Sequence, residues 1–180
     1  MTKELFFDTD CLSSFLWINH TNLLEQLYGG TIIIPGPVYQ ELSNPCIPRI
    51  KARADDLIEN GYATIKNIDI GKEEYEIYEK LTKNPDKGYR IIGKGEAAGI
   101  ALAKVYGGVL ASNNLRDVVQ YVDRYNLKHI DTGHILLEGL KQKLITEDIG
   151  NTIWAAMLAK NRKLPTPTFT DYINRNNDDV

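Results

Sequence analysis

Five carboxylates fall where an alternating chain of strands and helices would bring them to strand ends. Asp8 follows the apolar run Leu5-Phe6-Phe7, and Asp131 follows His129-Ile130. Glu41 lies one or two helical turns beyond the β-branched run Thr31-Ile32-Ile33-Ile34. Glu96 opens the helical segment that feeds Val109-Leu110-Ala111, and Asp117 lies in the first turn of the next one. Open parallel sheets bind ligands beyond the C-terminal ends of their strands, so this spacing predicts four or five acids on one rim. Taken singly, each has an ordinary use. Asp8 and Asp131 suit helix N-caps, which is the stronger reading for Asp131, and Glu96 and Asp117 suit first-turn positions favoured by the helix dipole. Taken together, gathered like charges raise one another's pKa, and a hard, oxygen-ligated cation removes that penalty. Mg²⁺ or Mn²⁺ suits such a set. The metal would ionise a water for in-line attack on phosphorus and neutralise charge gathering on the phosphate oxygens. The acids would serve as ligands first, and one would orient or deprotonate the water.

The elements that must position these acids alternate in type. Leu5 to Phe7, Thr31 to Ile34, Tyr62 to Ile65, Val109 to Ala111 and His129-Ile130 read as short strands. Leu12 to Leu27 reads as helix, broken near Asn19-His20-Thr21. Further helices are predicted over Val38 to Leu42, Arg49 to Glu59, Lys72 to Leu81, Glu96 to Tyr106, Leu115 to Tyr125, Thr132 to Lys141 and Glu147 to Lys160, the last capped by Thr146. Short apolar strands separated by helices predict an α/β chain, a three-layer α/β/α arrangement on a central, mostly parallel sheet of four to five strands. Residues 1–164 would form the domain, and 165–180 a polar, partly flexible C-terminal tail whose last five or six residues are loose.

Composition narrows the class. The chain has 180 residues, 43% of them hydrophobic and 25% charged, which excludes wholesale disorder. Two cysteines, Cys11 and Cys46, exclude a disulfide framework and a cysteine-rich zinc site and point to a reducing compartment, hence the cytoplasm. The apolar start ends at Asp8 after three residues, unlike a signal peptide, and no run approaches a membrane span. The net charge of -3 supplies no general attraction to nucleic acid, although it allows a local basic channel.

Four short motifs carry a resemblance. Asp8-Thr9-Asp10-Cys11-Leu12-Ser13, Pro37-Val38-Tyr39-Gln40-Glu41-Leu42, Gly95-Glu96-Ala97-Ala98-Gly99-Ile100-Ala101-Leu102-Ala103 and Ala111-Ser112-Asn113-Asn114-Leu115-Arg116-Asp117 resemble, in order, the four motifs of PIN-domain proteins, the family that includes the VapC-type ribonuclease toxins. The resemblance runs from about residue 5 to residue 142. It implies a parallel sheet between helices and an acidic quartet of Asp8, Glu41, Glu96 and Asp117 as catalytic and metal-binding residues. It implies a Mg²⁺- or Mn²⁺-dependent endoribonuclease that cleaves RNA with water and leaves a 5′-phosphate. A toxin would further imply an antitoxin partner covering the acidic rim, and homodimers are common in the family. Asp10 stands where the family commonly has Asn, and Asn113-Asn114 where some members have two adjacent acids.

Supporting roles are open for several neighbours. Thr9 would donate a hydrogen bond within the acidic cluster. Ser112 would orient Asp117 or a water, and Asn114 would bind a carboxylate or phosphate or else cap its helix. Lys94 and Arg116, with Arg90, are candidate phosphate contacts. The alternative to the nuclease is a catalytically inactive PIN-like module that binds RNA or protein.

Overall fold

The structure, a computed structural model, describes residues 3–177. In chain order the strands are β1 (Leu5–Phe7), β2 (Ile32–Pro35), β3 (Ala63–Lys66), β4 (Val109–Ala111) and β5 (Lys128–Ile130). The helices are α1 (Thr9–Trp17), α2 (Asn22–Tyr28), α3 (Gly36–Leu42), α4 (Pro48–Glu59), α5 (Glu73–Thr82), α6 (Lys94–Tyr106), α7 (Leu115–Tyr125), α8 (Thr132–Lys141), α9 (Glu147–Ala159) and α10 (Phe169–Asn177). The strands pair in parallel in the order β3-β2-β1-β4-β5, so the predicted three-layer α/β/α architecture is the one observed.

The two faces of the sheet follow the period of two that a strand imposes. Leu5 and Phe7 point into one core and Phe6 into the other. Ile32 and Ile34 join the first, Ile33 the second. On the first face lie apolar side chains of α1, α2, α4, α8 and α9. On the second, α6 and α7 pack with Leu81 at the end of α5. With no polar position in β1 or in Ile32 to Ile34, these strands can only be central, covered on both faces.

This strand order contains one reversal. The chain runs outward from β1 through β2 to β3, then returns to place β4 on the other side of β1. The crevice between the C-terminal ends of β1 and β4 is therefore the topological switch point, the usual location of a ligand in this architecture. Asp8 leaves β1 there, and Ser112 leaves β4 there. The Asp8 N–H donates to Ala111 O at 2.9 Å, tying the two ends together.

The polar sequence after Pro165 contains α10, which packs on α8 and α9 through Phe169 and Tyr172. Both rings are buried and stand against Trp154 of α9, at centroid separations of 5.9 Å and 5.5 Å. Their seats are glycines. A Cβ at Gly133 would collide with the Tyr172 ring, and one at Gly150 with the Phe169 ring. Periodicity could not reveal this helix, because among its residues of described burial only these two anchors are buried and the glycines that receive them are remote in sequence. The end of the expected loose tail, 178–180, lies outside the described residues.

Gly150→Ala and Gly133→Ala should each destabilise the protein by about 1–3 kcal/mol, because a rigid ring has to move. Urea unfolding followed by tryptophan fluorescence, to which Trp17 and Trp154 both contribute, checks this. An unchanged midpoint would show that α10 does not contribute to the cooperative unit.

Candidate functional site

The switch-point rim holds a pocket of about 190 Å³, lined by Asp8, Thr9, Asp10, Glu41, Gly93, Gly95 and Glu96. Three elements converge to make it. Thr9 and Asp10 open α1, Glu41 is on α3, and Gly93, Gly95 and Glu96 lie at the start of α6. Gly95 permits the approach. A Cβ there would stand 2.7 Å from Thr9 Oγ1 and 3.3 Å from Glu41 Oε2. The pocket wall is thus backbone at the point where α6 meets the side chains of α1 and α3.

The carboxylates are turned onto internal donors, one of which two of them share. Asp8 is 1% exposed. Its Oδ1 accepts the Cys11 N–H at 2.7 Å, which makes it the N-cap of α1, and its Oδ2 accepts the Ser112 hydroxyl. Glu41 accepts from the Thr9 hydroxyl. Glu96 closes a capping box on the Gly93 N–H at 2.9 Å. Its other oxygen takes Asn114 Nδ2 at 2.5 Å, and the same amide nitrogen donates to Asp117 Oδ2 at 2.8 Å. Asn114 therefore sits as a donor between two carboxylates rather than capping α7. Its side chain makes no cap hydrogen bond. Asp117 does not line the pocket at all.

A shared pocket is consequently not a shared ligand set. Among the described residues, no group of three or more His, Cys, Asp or Glu side chains is arranged to hold a metal ion. This finding overturns the expectation of a Mg²⁺- or Mn²⁺-dependent endoribonuclease. The nuclease, hydrolase, metal-binding and toxin–antitoxin assignments go with it. The physical reason is the donor placement. A carboxylate pair bridged by an amide N–H₂, or an aspartate held by a backbone N–H and a hydroxyl, has exchanged the need for a cation for hydrogen bonds. Of the five acids expected on one rim, Asp8, Glu41 and Glu96 line this pocket, Asp117 does not and Asp131 lines another groove, and spacing could not show which way their oxygens turn.

Asp8 carries the main electrostatic consequence among the pocket's acids. Burial pushes its pKa up from the ordinary 3.8 to about 7, with Asp10 and Glu96 adding repulsion. The Ser112 and Cys11 hydrogen bonds pull the other way without overcoming desolvation. Burial likewise drives the Cys11 thiol well above its usual range, with the Asp8 charge adding to it, so this cysteine is a buried neutral side chain rather than a nucleophile.

The remaining predicted residues divide. Thr9 and Ser112 are in the cluster, although Ser112 bonds Asp8 rather than Asp117. Asp10 is exposed on the pocket edge. Lys94 is exposed and lines none of this pocket. Arg116 lines a separate groove with Asn113, Asn114, Lys163 and Pro165. Asp131 also lines that groove, and its carboxylate is committed to structure. Its Oδ1 accepts the His134 N–H at 2.8 Å, capping α8, and the Tyr172 hydroxyl at 2.9 Å, with the His134 ring also at 2.9 Å. Burial opposes the Asp131 charge, but the bonds from His134 and Tyr172 together hold its carboxyl below the usual range. Sequence reasoning missed Asn113, whose Oδ1 accepts the Thr132 N–H at 2.9 Å and joins the β4 end to α8. It also missed Tyr172, for which the sequence carried no signal.

The fold and rim define an α/β/α domain with a polar switch-point pocket formed by residues far apart in sequence. A family model described as a PIN domain (DUF3368) matches residues 4–177, and the chain belongs to that PIN-domain family. The VapC branch is not distinguished by this match. No curated protein matches the chain. Among the described residues, no helix is long and apolar enough to cross a membrane.

Because the folded Asp8 pKa lies above its unfolded value, its contribution to stability is complete below about pH 4 and is lost as pH rises through about 7. The gap from 3.8 to about 7, at about 1.4 kcal/mol per pH unit, is on the order of 4 kcal/mol surrendered by pH 8. Asp8→Asn keeps an acceptor for Cys11 and cannot ionise. Its stability relative to the parent should rise between pH 4 and pH 7 and then level off. Chemical unfolding of both proteins across that range checks it, since other titrating groups cancel in the difference.

The donor placement also makes a metal prediction. The parent protein should show no rise in Tm with millimolar Mn²⁺, whereas Asn114→Asp, which replaces the bridging donor by a third carboxylate, should lose stability and regain part of it with Mn²⁺. Differential scanning calorimetry with and without chelator measures both.

Proposed function

We propose that this chain is a catalytically inactive PIN-fold binding module that takes a protein partner at the switch-point pocket. The observation that carries this reading is the pocket lining. It has four carboxylates (Asp8, Asp10, Glu41 and Glu96), two glycines and one threonine, without a lysine or arginine. Such a concavity attracts a cationic side chain and repels the phosphates of RNA, which would need an intervening cation to approach. Asp10 and Glu41 are exposed and supply the outer charge. Asp8 and Glu96 lie deeper, held by internal donors in fixed orientation. Rigid, pre-oriented acceptors cost little to order when a lysine or arginine enters. Asn114 stands behind Glu96 and donates to it and to Asp117.

The partner is therefore read as a protein segment presenting Lys or Arg, on another chain or on a second copy of this one. A cytoplasmic setting belongs to the same reading. Cys11 and Cys46 are both free thiols, the form a reducing compartment keeps.

The test is fluorescence anisotropy with a labelled Arg/Lys-containing peptide, beside a labelled single-stranded RNA with Mn²⁺ or with chelator. The peptide should bind and weaken with salt, and Glu41→Gln and Asp10→Asn should each weaken it by about 2–5-fold, the size of a partly exposed charge pair. RNA should be neither cleaved nor bound through these residues. Manganese-dependent cleavage by the parent protein, or RNA binding lost in Glu41→Gln, would overturn the reading.

A further inference from the structure

The opposite end of the sheet carries a second polar concavity of reversed charge. A pocket of about 390 Å³ is lined by Lys3, Ala103, Lys104, Gly107, Gly108, Tyr125, Asn126, Leu127 and Lys128. It lies where the chain enters β1, where α6 turns into β4, and where α7 turns into β5. Its lining contains three lysines and no acid. Among the described residues, none of Lys3, Lys104 and Lys128 joins a salt bridge, in contrast to Lys51, Lys66, Lys72, Lys80 and Lys83. The acid next to Lys3, Glu4, is already engaged by Lys66 at 3.1 Å.

Part of this charge has an ordinary use at helix ends. Both α6 and α7 end at this pocket, with Gly107 and Asn126 as left-handed C-caps at φ 68° and 49°. Each helix C-terminus carries the equivalent of about half a negative charge, and nearby lysines offset it. Two termini account for about one unit. Three lysines supply three, which leaves an excess of about two positive charges around a concavity. The excess matches a dianion.

We propose that this pocket binds a phosphate monoester, its dianionic phosphate held by Lys104 and Lys128 with Lys3 closing the rim. Tyr125 presents an aromatic wall and Asn126 a carboxamide to the remainder of the molecule. An excess of about two charges suits a small dianion better than a long polyanion. The site lies at the other end of the sheet from the acidic rim and shares no lining residue with it.

The test is titration of the full chain with inorganic phosphate and with phenyl phosphate, followed by backbone amide chemical shifts at constant ionic strength. Saturable shifts centred on Gly107, Gly108, Asn126 and Lys128 are expected. Phenyl phosphate should bind more tightly than inorganic phosphate through Tyr125. Lys104→Ala and Lys128→Ala should each weaken binding at least 5-fold, while Glu41→Gln leaves it unchanged. Shifts that do not saturate, that spread over lysines elsewhere, or that survive the Lys104→Ala/Lys128→Ala double variant would overturn the proposal. Both lysines are exposed, so these variants are expected to fold, and an unchanged Tm confirms it.

Discussion

Asp8 is the point on which the rest of the molecule depends. Its carboxylate is buried at the junction of β1 and β4, where it accepts the Cys11 N–H that starts α1 and the hydroxyl of Ser112 that ends β4. One side chain thereby joins the central strand, the first helix and the strand beyond the topological reversal. Removing such an acceptor would leave the Cys11 N–H unpaired and the Ser112 hydroxyl proton without its acceptor, the Ser112 oxygen keeping only the Asn114 N–H. Its charge is costly in that place, which is why its pKa rises so far. The site is built around a group that is electrostatically uncomfortable and geometrically indispensable.

Around Asp8 the other acids have been settled by donors from three elements. Thr9 answers Glu41, the Gly93 N–H answers Glu96, and one amide nitrogen of Asn114 answers Glu96 and Asp117 together. Hydrogen bonding of this kind stabilises ionised carboxylates without bringing three of them onto a common point. The rim keeps its negative character while lacking a metal-binding group among the described residues. Membership in the PIN-domain family and this arrangement of donors are compatible, because a fold fixes where a site lies and the side chains decide its chemistry.

The two ends of the sheet then carry opposite charge for a common geometric reason. In a parallel α/β sheet, helices begin beyond the C-terminal strand ends and finish at the N-terminal ends. Acids at the first turn of α6 and α7, Glu96 and Asp117, and lysine in the last turn of α6, Lys104, both follow the helix dipole. The rim carries more acid, and the far pocket more base, than the dipoles call for.

The sequence by itself determined the alternation of elements, the parallel sheet, the break between α1 and α2, and the convergence of Asp8, Glu41 and Glu96 at strand ends. These follow from local signals: β-branched runs, helical periods, Pro and Gly punctuation, and the residue that leaves each strand. Only the tertiary structure decided what the acids do. Whether Asn114 caps a helix or bridges Glu96 and Asp117, and whether Ser112 meets Asp117 or Asp8, depends on contacts between residues separated by 18 and 104 positions. It likewise decided that Phe169 and Tyr172 would dock a helix onto Gly150 and Gly133. Local composition sets which side chains are available at a strand end, but the direction of a carboxylate oxygen is fixed by whichever donor the packed chain brings within about 3 Å.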